Sequence, residues 1–205
     1  MSPAASIQLR VELDAITNDH VPLVKHVPRI AALAEHLPHS IGARPTRPSP
    51  GFNCFAYAFG LHDQAAYTRI AAAEQRARGN RFFSNSKFAD HLVRTNAVTP
   101  IGQRDLTPGD IVLYTQDQRI VHAARVIEGG SLQSKWGQGH LYVHHLWEVP
   151  ARYGNTVRFF QKLGPEPYLP QFANFLREST GWAEFAATNL SSVFPTGTRH
   201  SPPAK

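Results

Sequence analysis

Pro108-Gly109 divides this 205-residue sequence into two textures, and that division limits the fold more than any other feature. Downstream of it, Ile111-Val112-Leu113-Tyr114, Ile120 to Ile127, Ser131 to Lys135, Leu141 to His144 and Thr156 to Phe160 are short runs rich in β-branched and aromatic residues. Gln-Asp-Gln, Gly129-Gly130 and Gly137-Gln138-Gly139 separate them, which is the spacing of an antiparallel meander. Upstream, apolar residues recur at helical intervals instead. Helices first and strands afterwards predict an α+β fold.

The upstream helices carry their own punctuation. Asn53 is a good N-cap for Cys54-Phe55-Ala56-Tyr57-Ala58-Phe59, a run dense enough for a buried helix and closed by Gly60. This helix is expected to lie on the strands bearing Val112 and Val126. A second helix is predicted over Gln64 to Arg78, stopped by Gly79-Asn80, and a third over Ser86 to Thr95. Residues 51–164 then form one domain. Residues 1–50 read as an N-terminal extension with one helix, Pro28 to Leu37, and a proline-rich approach loop from Arg44 to Gly51. Residues 165–205 read as a C-terminal extension, helical between Gln171 and Ser191 and frayed from Pro195.

Composition narrows the functional classes. An apolar fraction of 42% and a charged fraction of 18% are globular values. The net charge of +6 suits an anionic partner, yet the basic residues are scattered with no run of five, so no specific nucleic-acid partner is expected. A single cysteine excludes an intramolecular disulfide and leaves Cys54 as a free thiol. No metal or other cofactor is expected, because no His-Glu-x-x-His run occurs and one cysteine cannot build a zinc cage. No stretch approaches the roughly 18 apolar residues of a transmembrane segment. The opening residues lack a basic region followed by an apolar core, so the expectation is cytoplasmic synthesis, with any export by a signal-independent route.

Two residues carry the chemistry. A cysteine at a helix start lies near unpaired backbone donors and the positive end of the helix dipole, both of which favour the nucleophilic thiolate. The Leu106-Thr107-Pro108-Gly109-Asp110 turn enters the first strand and His122 comes early in the next, and an imidazole can take a thiol proton and return it to a leaving amine. The order of a nucleophile-bearing helix, a Leu-x-Pro-Gly-Asp turn and a following histidine resembles NlpC-type peptidases and their CHAP relatives, over about residues 51–160.

That resemblance implies a papain-like, NlpC-type fold and a cysteine hydrolase with Cys54 as nucleophile and His122 as base. It also implies a third, orienting residue on the next strand, where Ser134 is the best match and Gln133 its neighbour. A backbone carbonyl, a two-residue site, or His144 or His145 are the alternatives. Asn53, Lys135 and Trp136 are the expected substrate contacts: Trp136 as a cleft wall or simply core, Lys135 toward a substrate carboxylate or merely solvated. The Cys54 backbone N–H is the expected oxyanion donor. Arg47 or the proline-rich loop stands where the family often has a tyrosine. The implied substrate is a peptide, foremost a cell-wall (peptidoglycan) peptide, as for an effector toxin with an inhibitory immunity protein and secretion machinery as partners. A cytoplasmic deamidase or acyltransferase, or a degenerate binding module, are the alternatives of the same fold.

Overall fold

The computed structural model describes residues 3–44, 52–78, 85–137, 139–163 and 168–178. Helices α1 (Pro3–Ile16) and α2 (His26–Leu33) precede a short strand β1 (Gly42–Ala43). Helices α3 (Cys54–Ala58), α4 (Ala65–Arg78) and α5 (Ser86–Arg94) follow. Strands β2 (Pro100–Ile101), β3 (Ile111–Gln116), β4 (Arg119–Val126), β5 (Leu132–Lys135), β6 (Leu141–His144) and β7 (Thr156–Phe160) come next, and helix α6 (Leu169–Glu178) closes the described chain. The α+β class holds. All strands join one antiparallel sheet of order β1-β6-β5-β4-β3-β7-β2, whose centre is the meander expected from the sequence.

Local chemistry explains the centre of the sheet. The β3–β4 hairpin turns on Asp117 and Gln118, both at positive φ (49° and 64°), the twist a two-residue loop requires. The Pro-Gly-Asp turn acts as a structural clasp. Asp110 is buried, and its carboxylate accepts from Thr107 N (2.7 Å), Thr107 Oγ1 (3.0 Å) and Lys162 N (2.8 Å). Its backbone carbonyl accepts from Val126 N at 2.8 Å, so one residue ties β3 to the ends of β4 and β7.

Side-chain alternation sends β3 into two cores. Ile111 and Leu113 face α3, α5 and α6, joined by Phe59, Phe88, Ala123, Phe160 and Phe172. Val112 and Tyr114 face α1 and α2, joined by Leu9, Leu13, Ile30, Val126 and Trp136. Helix α3 therefore packs on the strands bearing Val112 and Val126 as expected, through their Ile111, Leu113 and Ala123 face.

The N-terminal fifth differs from the sequence expectation. Helix α2 starts two residues earlier, with Pro28 inside its first turn where the missing N–H has no helical acceptor, and ends at Leu33. Helix α1 was not anticipated. Leu9, Leu13 and Ile16 bury one face of it against the sheet, while Ile7 and Val11 stay exposed. Residues 3–44 thus supply a structural layer and an edge strand, Gly42 pairing with Val143 and Ala43 with Tyr142. The proline-rich loop from residue 45, the Gly79-Asn80 stop and everything beyond Glu178, including the expected tail, lie outside the described residues.

Candidate active site

Asn53 caps α3 as its side chain predicts: extended backbone (φ −110°, ψ −176°) and Oδ1 accepting from Ala56 N at 2.9 Å. Gly60, at φ +65°, closes it, and a Cβ there would approach the Arg125 guanidinium at 2.9 Å. Arg125 donates from Nε to Ala58 O at 3.2 Å, and the Tyr57 hydroxyl donates to Gln133 Oε1, so the short helix is pinned to β4 and β5. The pairing of β4 with β5 runs only through Arg125↔Gln133 and Val126↔Leu132. Upstream of Arg125 the backbone of β4 is left open to the Cys54 sulfur, which takes a hydrogen bond from Ala123.

Cys54, half-buried, and His122 line one cavity of about 660 Å³ together with Asn53, Trp136, Arg152 and Tyr153. The imidazole is 1% exposed, and among the described residues neither Nδ1 nor Nε2 has a hydrogen-bond partner. Its orientation comes from aromatic contact instead. Tyr153 lies parallel to it, with ring centroids 3.8 Å apart at 4°, and Tyr114 is tilted against it at 5.5 Å. Tyr153 stands in a 3-10 turn, Ala151–Tyr153, whose neighbour Arg152 is bound to the end of α1. Its guanidinium donates to Asp14 Oδ1 (2.5 Å), Thr17 O (2.8 Å) and Thr17 Oγ1 (2.9 Å).

The electrostatics describe a neutral resting pair. Burial raises the Cys54 thiol to about 11, against the opposing pull of the Ala123, Phe55 and Cys54 backbone hydrogen bonds and the Lys135 charge. The anticipated dipole effect does not prevail, because α3 is five residues long and carries few aligned peptides. Burial likewise drives His122 well below its usual value, with the charges of His144 and Arg152 adding to the effect. The resting site is a neutral thiol and a neutral imidazole that line one cavity, with no hydrogen bond to either ring nitrogen among the described residues. It is not a preformed thiolate–imidazolium pair.

The remaining expected site residues have other duties. Ser134 Oγ accepts from Trp136 Nε1 at 2.9 Å and is 2.8 Å from His144 Nε2. His144 Nδ1 lies 2.8 Å from His145 O, a carbonyl, so Nδ1 carries the proton and Ser134 donates to Nε2. Gln133 is on the opposite face, held by Tyr57. Neither Ser134 nor Gln133 hydrogen-bonds to His122, so the structure does not bring the expected orienters to the base. Trp136 does line the cavity, 2% exposed and stacked on Tyr142 at 4.2 Å. Lys135 does not reach solvent. It is 1% exposed, donates from Nζ to Gly137 O (3.2 Å) and Gly139 O (2.5 Å), and burial lowers it to about 8. Arg47 lies outside the described residues.

Residues the sequence reading did not single out complete the cavity. Tyr153 and Arg152 come from a turn with no motif, Thr17 and Leu23 come from the α1–α2 connection, and His26 opens α2. Leu9, Leu13 and Ile16, spaced for one helix face, were the available signal that this segment packs against the rest. Among the described residues no three His, Cys, Asp or Glu side chains converge on a metal-sized site. No described helix is long and apolar enough to cross a membrane.

The site defines an α+β protein in which a cysteine and a buried histidine share a cavity where the β4 backbone is left unpaired by β5. The chain belongs to the family described as "Domain of unknown function (DUF7689)", whose model matches residues 45–161, more than half of its length. That span holds Cys54, His122 and Tyr153 but leaves α1 and α2 outside. No curated protein and no solved structure matches the chain.

Proposed function

We propose that this protein is a metal-independent cysteine hydrolase of papain-like, NlpC type that cleaves an amide bond through an acyl-Cys54 intermediate. One observation carries the reading: a buried imidazole, with neither ring nitrogen hydrogen-bonded among the described residues, lines the cavity that also holds the chain's single thiol. An unsatisfied buried ring costs stability, so its retention points to a group that must take up a proton. In the proposed reaction the Sγ–H bond breaks and the proton passes to His122, directly or through one water. The sulfur then attacks the carbonyl, and His122 returns the proton to the leaving amine. Water hydrolyses the thioester with His122 again as base. A cell-wall peptide is the proposed substrate, its anionic polymer matching the net charge of +6.

The neutral resting pair favours a second reading, a binding module of the same fold whose chemistry has lapsed. Digestion of purified peptidoglycan and its stem peptides, followed by appearance of new amino termini, separates the two. Cys54→Ala and His122→Ala should each remove activity by roughly 10³-fold or more, and the double variant should be little worse because the two groups act in one step. Equal turnover by Cys54→Ala would overturn the proposal.

A further inference from the structure

We infer that Tyr153 is the positioning residue of this site, an aromatic clamp that does for His122 what a hydrogen-bonding third residue does elsewhere; the inference rests on the cysteine hydrolase reading above. Three observations meet here. The imidazole has no hydrogen-bond partner among the described residues, and the polar residues expected to orient it are committed to other groups. The ring is nevertheless fixed, because Tyr153 covers one face at 3.8 Å and 4° and Tyr114 bounds it at 5.5 Å. Tyr153 is itself anchored: its hydroxyl takes a backbone hydrogen bond from Gly137, and Arg152 beside it grips Asp14 and Thr17 of the N-terminal layer.

The geometry sets the plane of the imidazole and hence the directions in which Nδ1 and Nε2 point. It also acts on charge. When the Cys54 proton moves to His122, the new imidazolium lies over the negative π face of a phenol in a water-poor site, an arrangement that favours the cation. The charges bearing on the ring, Arg152 and the protonated form of His144, disfavour it, so the tyrosine face is the contact that stabilises the product of proton transfer. This task differs from bulk packing, which any apolar side chain of similar size could serve.

The chain has one cysteine, so alkylation of the full-length protein by iodoacetamide reports Cys54 alone. Rates measured from pH 6 to 10 for wild type, Tyr153→Phe, Tyr153→Leu and a series bearing fluorinated phenylalanines at position 153 provide the test. Phenylalanine should keep most of the rate, leucine should lose roughly 5- to 10-fold near neutral pH, and the rate should fall stepwise with ring fluorination as the π face loses charge. The fluorinated rings keep the shape, so they answer even where leucine impairs folding. A flat fluorine series with His122→Ala still slow would overturn the clamp while leaving the cysteine hydrolase reading in place. A His122→Ala variant as fast as wild type would instead remove the reading on which it rests.

Discussion

Ser134 donates its hydroxyl proton to His144 Nε2 across 2.8 Å while accepting from the Trp136 indole, so a serine expected beside the base closes a buried polar chain one strand away. The chain runs in one direction, from Trp136 through Ser134 and His144 to the carbonyl of His145, and leaves no donor of Ser134 for His122. Ser134→Ala would strand both an indole N–H and an imidazole nitrogen. It should destabilise the protein by about 1–3 kcal/mol in urea denaturation. The folded fraction should alkylate at Cys54 as wild type does, and a selective loss of thiol reactivity would show that Ser134 serves the base after all.

Acid should weaken the fold before it titrates carboxylates. Burial holds His144 at about 4 in the folded protein, and His122 is lowered as well. The unfolded chain, with ordinary histidines near ~6.5, binds more protons than the native state between these values, so stability rises with pH across that window. The contribution of His144 is complete above about pH 6.5 and lost as pH falls toward 4, an effect on the order of 3 kcal/mol. Denaturation midpoints at pH 7.5 and pH 5 check it. Equal midpoints would mean that His144 is not a buried neutral ring.

Gly154 should tolerate no side chain. Its φ of +100° lies where L-residues are strained, and a Cβ would stand 2.4 Å from Thr115 O, a backbone atom of a central strand. Gly154→Ala should therefore cost about 3 kcal/mol or more. Because Gly154 adjoins Tyr153, the surviving folded protein should also alkylate more slowly. Near-wild-type stability of this variant would contradict the placement of the turn.

Asp110→Ala should be a folding defect with no catalytic signature. The carboxylate holds three donors in a buried corner, and leaving them unpaired should cost about 2–4 kcal/mol by chemical denaturation. A variant of wild-type stability but lost reactivity would give the Pro-Gly-Asp turn a role at the site instead of in the clasp.

What the sequence disclosed follows from the range of its signals. Asn53 as an N-cap, Gly60 as a stop and the β3–β6 meander depend on neighbouring residues, and each stands in the structure where local chemistry puts it. Cys54 and His122 were singled out as candidates because both lie beside such local signals, and the structure places the two on one cavity. The environment of that cavity was not legible. Tyr153 meets His122 from 31 positions further along the chain through a turn of no marked composition, and Lys135 is buried because two carbonyls of the following turn receive its ammonium. Gln133 and Ser134 point to opposite faces of β5, and the β4–β5 pairing stops short of His122, so strand proximity did not carry either one to the base.

The central claim is that His122 serves as proton acceptor for Cys54 from a neutral resting state, and the pH dependence of Cys54 alkylation in wild type and His122→Ala tests it most directly. Burial sets the thiol near 11, so the wild-type rate should climb through pH 9 and 10 without a plateau near pH 6. At pH 7 to 8, where the imidazole is neutral, His122→Ala should be slower by roughly 10-fold or more, within the range of general-base effects after allowance for a small probe. If His122→Ala reacts as fast as wild type or faster, as a merely better-hydrated thiol would, the imidazole is not the base of this site and the account is wrong.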